Sequence, residues 1–361
     1  MNAASSPAIE VAAAGERVGR PVVRQLAAAD EARWDAFVEG CPDATFFHRA
    51  GWRRVLEDVF AHRAHYLYAE VDGRISGVLP LGHVRSVLFG NALISTPFCV
   101  YGGVAADDEA SASALIDAAR DLADDLKVDH LELRHLARRR PEWPCKDSLY
   151  VTFRKAIEPD HEQNMLAIPR KQRAMVRKGI KHGLQGTIDG DTERFFAIYA
   201  DSVHRLGTPV FPRRYFQALT EVFGADCDVL TVSHESRPVA SVLSFWFRDE
   251  VLPYYGGGTL EARAVAGYDF LYWDLMCRAA ERDCRIFDYG RSKVGTGSWS
   301  FKRNWGFEAE PLHYEYHLVR SSRMPDINPL NPKYRMFVSA WKRLPLGVAN
   351  LIGPHLSRSL G

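Results

Sequence analysis

Two nine-residue segments of the chain, WRRVLEDVF at 52–60 and YFQALTEVF at 215–223, carry one pattern. Each opens on an aromatic residue, has Leu at its fifth position and closes on Val-Phe, with apolar residues at helical spacing. Some fifteen residues later come RISGVLPL (74–81) and RPVASVLSF (237–245), which align if Pro238 is an inserted residue. Both read as second arms of hairpins; HYLYAEVDGRISGVLPL turns at Asp72-Gly73, a pair suited to a tight two-residue turn. CVYGGV (99–104) and PYYGGGT (253–259) then read as strands ending in Tyr-Gly-Gly. A helical stretch follows in each case, leading to the strands HLELRHL (130–136) and RIFDYG (285–290).

The matches recur in one order, at offsets of 163, 154 and 155 residues, and imply an internal duplication. Each half is expected to be an α/β unit of helix, hairpin, strand, helix and strand, with a mixed, largely antiparallel sheet flanked by helices. The expected domains are 21–158, where VTFRKAIEP closes a strand at Pro159, and 159–322, opened by the basic stretch after residue 164. Residues 1–20 read as a disordered lead-in without the layout of a secretory signal. Residues 323–361 read as a Pro/Asn-rich linker and a basic amphipathic tail, either docked on the body or suited to a membrane interface. The uncharged run 87–106 has the length of a membrane span, yet its Asn91, Ser95, Thr96 and Pro97 suit two buried strands joined by a turn.

At 361 residues with 25% charged residues, the composition is that of a globular chain, and the length suits two domains. A formal net charge of +1 argues against whole-molecule attraction to nucleic acid, so DNA is not an expected partner and any basic site must be local. The six cysteines show neither CxxC pairs nor zinc spacing; they suit reduced thiols in a cytoplasmic protein and no metal site.

Chemistry concentrates late in the chain. The run RKQRAMVRKGIKHG (170–183) places Arg173, Arg177, Lys178 and Lys181 on a helix, either a solvated face or a surface for a polyanion. Asp288 ends an apolar strand, where a side chain can meet a ligand and accept a proton. The loop after it, GRSKVGTGSWSFKRNWGF, is glycine-rich and cationic but lacks the phosphate-loop pattern, and no dinucleotide fingerprint occurs.

The two halves, the basic helix, YYGGG, FDYG and SFKRNWGF together resemble the FemAB-type aminoacyl/acyltransferases, which pair two GNAT-like domains. More narrowly, the chain is similar to the FemAB-like proteins associated with PEP-CTERM/exosortase and exopolysaccharide systems. The likeness runs from about residue 21 to 320. It implies transfer of an aminoacyl or acyl group to an amine on a phosphate-bearing envelope, peptidoglycan or polysaccharide precursor. The family's FK-x-x-[FW]-G motif falls on Phe301, Lys302, Trp305 and Gly306. Lys302 would then meet substrate phosphate or the charge of the reacting acyl group. Arg205 or Arg213, with Tyr215, would hold the acceptor's phosphates, while Tyr254 or Tyr255 lines the transfer site. Arg291 and Arg303 join the cationic wall, and Lys302, Asp288 and Tyr255 are the catalytic candidates.

No bound cofactor is expected; the donor is either an aminoacyl-transfer RNA or an acyl-CoA. The turn RAVAGYD (263–269) departs from the pyrophosphate-binding pattern [RQ]xxGx[GA], and no helical-hairpin insertion for transfer RNA is visible. An acetyl-CoA-dependent sugar acetyltransferase, and a non-catalytic binding subunit at the inner membrane, are the competing expectations.

Overall fold

The computed structural model describes residues 19–86, 90–325 and 332–359. The lead-in expected over 1–20 falls, up to residue 18, outside the described residues, as does 326–331 of the expected linker. Two sheets with one topology form the body. The first runs Val22–Gln25, Arg63–Val71, Arg74–Ser86, Gly90–Ser95, His130–His135, His313–Leu318 and Cys145–Lys146. The second runs Gln185–Ile188, Cys227–His234, Arg237–Phe247, Glu250–Gly258, Ile286–Asp288 and Arg154–Ala156. All pairings along these orders are antiparallel except Gly90–Ser95 with His130–His135 and Glu250–Gly258 with Ile286–Asp288, which are parallel.

The duplication extends further than the sequence pattern suggested. Val22–Gln25 and Gln185–Ile188 stand 163 residues apart, as do the hairpin arginines Arg74 and Arg237. Both hairpins carry the same bulge. Ile75 pairs Glu70 and Gly77 pairs Ala69, leaving Ser76 over; Pro238 pairs Ser233 and Ala240 pairs Val232, leaving Val239 over. Pro238 is therefore not an insertion but the counterpart of Ile75. Both turns hold two residues at positive φ, Asp72-Gly73 in one and Glu235-Ser236 in the other.

Two further expectations need correction. CVYGGV is not a strand: the strand after the first half's hairpin is Gly90–Ser95, and Tyr101-Gly102-Gly103 follow in irregular chain. Gly103 lies so close to His135 that a Cβ there would come within 2.0 Å of the imidazole. The domain limits are also crossed by the sheets. Arg154–Ala156, expected in the first domain, closes the second sheet against Ile286–Asp288, and His313–Leu318, expected in the second, pairs His130–His135 in the first. Each half thus lends its last strand to the other. A small third sheet, Ser292–Lys293 with Tyr150–Thr152 with Glu310–Pro311, forms where the two lent segments pass.

The core is likewise shared. The duplicated helices Gly51–Phe60 and Arg213–Phe223 pack head to tail, so that Trp52 meets Phe223 at 5.2 Å between ring centroids and Phe60 meets Tyr215 at 5.1 Å. Phe46 stacks on Phe245 at 4.4 Å, and Phe47 leans on Tyr254 at 5.1 Å. These aromatic contacts between halves belong to one continuous buried cluster. Among the described residues, no helix is long and apolar enough to cross a membrane.

His48 ties this core to the irregular Tyr101–Val104 segment. Its Nδ1 accepts from the Thr45 amide at 3.0 Å, and its Nε2 donates to the Gly103 carbonyl at 2.8 Å. Burial pushes its pKa down to about 4, against 6.5 for a free imidazole. The folded chain therefore holds His48 neutral where the unfolded chain charges it. Stability is complete above pH 6.5 and declines by about 3 kcal/mol as pH falls toward 4. Thermal melts across that window should show the slope, and His48→Gln should reduce it, leaving the share of His65, which burial also pushes down to about 4. Phe46→Ala, which empties the joint between the halves, should lower the unfolding free energy by about 3–5 kcal/mol in denaturant titrations.

Candidate active site

In the second half, the parallel strands pair only through Glu250↔Ile286 and Val251↔Phe287. Beyond that they separate. Pro253 has no N–H to offer, and a bulge on the strand leaves Tyr254 over, because Leu243 pairs Tyr255 and Ser244 pairs Pro253. A bulge turns consecutive side chains toward one side, which is why Tyr254 and Tyr255 both line the resulting gap. The other wall is Tyr289, Gly290 and Arg291, with Tyr272, Ser298 and Lys302. Phe98, Val100 and Arg134 close it from the first half. The cavity measures about 340 Å³, within the range of small-molecule sites.

Among the described residues its lining includes three cations and no carboxylate. Arg134 is buried and paired with Glu132 at 2.7 Å, and it also donates to the Cys99 carbonyl at 2.6 Å. Arg291 has no carboxylate partner among the described residues. Its guanidinium lies 4.8 Å from the Tyr150 ring centroid and donates to Tyr314 Oη at 3.0 Å; Tyr314 in turn donates to the Val100 carbonyl at 2.8 Å. Tyr314 belongs to the lent strand His313–Leu318. The guanidinium is thus stacked and tethered with donors to spare, the arrangement that grips an anion.

Lys302 has another task. It sits on the helix Gly297–Asn304, which Thr296 caps through the Trp299 amide, and its Nζ donates to the carbonyls of Tyr289 (2.6 Å), Gly290 (2.9 Å) and Arg291 (3.1 Å). Three acceptors take all three donors of an ammonium. Lys302 therefore clamps the turn that presents Arg291 while also lining the cavity. Burial pushes its pKa down to about 7; Asp288 opposes the shift and Arg291 adds to it.

Asp288 is sealed beneath the cavity, 1% exposed. It accepts from Tyr101 Oη at 2.8 Å and from the Gly290 amide at 2.7 Å, with Arg154 Nε 3.5 Å away. Burial raises its carboxyl above the ordinary aspartate range, while Arg154 and these hydrogen bonds pull it down. With its oxygens engaged and no face on the cavity, it anchors the turn and is not placed as the expected proton acceptor. Tyr255 Oη lies 2.8 Å from Tyr215 Oη, and Tyr254 Oη donates to the Phe98 carbonyl at 3.0 Å. Burial raises all three phenols well above 10, so they remain neutral hydroxyls and cannot serve as phenolate bases.

Other expected site residues lie elsewhere. Arg205 bonds Asp201 and the Gly258 carbonyl, while Arg213 pairs Glu193 over the Phe196 ring. Phe301 backs the wall against Tyr272. Trp305 is fully buried and donates to Asp269, Gly306 turns at φ 81° beside Pro169, and Arg303 covers Trp299. On the basic helix Arg170–Lys181, Arg173 donates to the Leu166 and Ile168 carbonyls, whereas Arg177, Lys178 and Lys181 are exposed; none of the four lines the cavity. Sequence reasoning missed Arg134, Phe98 and Val100, which reach the site only because the halves interlock.

The corresponding gap in the first half, between Tyr101–Val104 and Arg134–Ala137, is smaller at about 190 Å³. There Arg139 pairs Asp43, Arg154 pairs Glu250, and Arg248 donates to the Val38 and Cys41 carbonyls. Elsewhere, the fold does bring Cys145, Asp147 and His313 together, with ligand-type atoms within 4.8 Å of one another, a grouping that sequence spacing did not disclose.

Residues 170–303 match a family described as Acetyltransferase (GNAT) domain. Among solved structures, the chain is similar to FemX, at 13% identity and a TM-score of 0.67, over 88% of this chain and all of that one. It is also similar to the C-terminal domain of a putative lysylphosphatidylglycerol synthetase from Agrobacterium fabrum, at 12% identity and 0.55, over 80% of this chain and 92% of that one. A tandem GNAT protein from the clavulanic acid biosynthesis pathway aligns at 12% identity and 0.52, over 84% of this chain and all of that one. No curated protein matches. The fold is accordingly two tandem GNAT-like domains, each a mixed sheet flanked by helices.

Removing the clamp has two expected signatures. Lys302→Met leaves three carbonyls without a donor and should lower the unfolding free energy by roughly 1–3 kcal/mol in denaturant melts. Because the wild-type amine loses its proton near pH 7, sulfate affinity of the cavity should fall as pH rises through neutrality. In Lys302→Met that pH dependence should disappear.

Proposed function

We propose that the chain is an N-acyltransferase of FemAB type, moving an aminoacyl or acyl group onto an amine of a phosphate-bearing envelope, peptidoglycan or exopolysaccharide precursor. The observation that carries this reading is the immobilised Arg291 guanidinium, without a carboxylate partner among the described residues, in a tyrosine-lined cavity at the strand gap of a GNAT-like domain. Attack of the amine nitrogen on an ester or thioester carbonyl forms the N–C bond and places negative charge on the carbonyl oxygen. The leaving hydroxyl or thiol then departs as the amine proton is passed on. A fixed donor aimed at that oxygen is worth several kcal/mol in a site shielded from water.

Arg291 supplies such a donor, or holds a substrate phosphate beside it, and the neutral tyrosine hydroxyls orient polar groups. Among the described residues neither carboxylate nor imidazole lines the cavity, which favours a substrate oxygen or water as the amine proton's exit. Proximity does the remaining work: the reacting amine and carbonyl would meet in the cavity where the halves join.

The similarity to FemX favours an aminoacyl donor, and the match to an acetyltransferase family favours an acyl-CoA. The second reading, a CoA-dependent acetyltransferase acting on a sugar, rests on that family match. Offering the purified chain both donor classes with amine-bearing acceptors separates the two, and silence with every donor would reject enzymatic transfer. Arg291→Ala should lower kcat about 10²–10³-fold. Arg303→Ala, on an exposed residue away from the cavity, should leave kcat unchanged.

A further inference from the structure

The C-terminal helix Leu346–Ser357 is packed with its small side inward. Ala349, Gly353 and Ser357, four residues apart, are buried, and Gly353 lies so close to Val210 that a Cβ would come within 3.0 Å of its amide nitrogen. The large apolar side chains face outward instead. Leu351 is 73% exposed, and Val348 and Ile352 share its face. This inverts the usual surface helix, whose apolar stripe faces the core. The neighbouring helix Pro332–Trp341 adds Met336, 74% exposed, and Phe337, while Leu206 projects from the helix beneath. Together these side chains make an exposed apolar set of the kind that marks an interaction surface.

The face is held firmly. Trp341 is buried, and its carbonyl lies 3.2 Å from His204 Nε2. At the far end, the Arg358 carbonyl lies 2.6 Å from His62 Nε2, and the Arg358 guanidinium donates to the Phe60 carbonyl. Charge identifies the occupant. Over the described side chains of these two helices and their link, residues 336–359, the chain carries Lys342, Arg343 and Arg358 and no acid. Paired with a second copy about a two-fold axis, this surface would set its positive charge against itself. An anionic lipid surface meets both needs, because headgroup phosphates attract the basic residues while the boundary below them accepts apolar side chains.

We propose that this C-terminal face docks the protein on an anionic phospholipid bilayer. The segment Gly207–Phe211 links the two regions: Gly207 and Val210 touch the C-terminal helices, and Phe211 lines the cavity. Docking would therefore bring the cavity close to the lipid headgroups. The proposal is independent of the acyl-transfer reading, since its test measures binding alone.

The full-length chain should co-sediment with phosphatidylcholine vesicles containing phosphatidylglycerol, more weakly with phosphatidylcholine alone, and less as salt rises. Lys342→Gln with Arg343→Gln should weaken partitioning by roughly 25-fold, at about fivefold per charge. Met336→Glu with Leu351→Glu, both at exposed positions, should abolish it while leaving the melting temperature of the lipid-free chain unchanged. Absence of binding, equal binding to both vesicle types, or unaltered binding by the variants would overturn the proposal. So would a lipid-free dimer that the glutamate variant converts to monomer, which would assign the face to a second copy.

Discussion

The reciprocal loan of closing strands is the constraint from which the rest of the molecule follows. A sheet edge left open exposes a row of unsatisfied N–H and C=O groups. In this chain Arg154–Ala156 covers that edge for the second sheet, and His313–Leu318 covers it for the first. The exchange also sets the positions of the functional groups. Arg154, on one lent strand, faces Asp288; Tyr314, on the other, holds Arg291; and Tyr150 and Thr152, between them, support Arg291 and Asp288 respectively. No single half contains this arrangement.

Beneath the cavity, charge is used for shape. Asp288, Glu132 and Arg134 are removed from water, and each is matched by an opposite charge or by hydrogen bonds, Asp288 by the half-buried Arg154 among others. Unmatched burial of any of them would be strongly unfavourable. The Tyr289-Gly290-Arg291 turn is held from below by Asp288 and from the side by Lys302. Arg291, the residue these groups support, has no counter-charge among the described residues. A preorganised site needs this division between supporting groups and a free one.

Local pattern was sufficient for what is local. The helices at 52–60 and 215–223, the two-residue turn at Asp72-Gly73 and the repeated order of elements follow from periodicity and turn chemistry, and the structure contains all of them. The strand loan was not legible, because VTFRKAIEP and HYEYHLVR read as strands whichever sheet receives them. The same blindness limits what can be read of the site. Lys302 stands in a cationic loop that suggests substrate contact, yet its role depends on three carbonyls that the turn after Ile286–Asp288 aims at it. Arg134 looked like an ordinary strand residue until the first half closed over the cavity. The first Tyr-Gly-Gly resembled the second, but only the second continues a sheet, since Thr96 and Phe98 take positive φ and turn the first away.

The matching bulges, turns and strand orders mark the two halves as descendants of one unit. A free-standing ancestor of half this length, closed in the same manner, would have had to borrow its last strand from a twin, making it an obligate pair with two identical clefts. Within a single chain that symmetry requirement is absent. One cleft holds internal ion pairs such as Arg139–Asp43, while the other presents a guanidinium without a counter-ion among the described residues. Asymmetry of this sort is unavailable to a homodimer, in which every substitution appears twice.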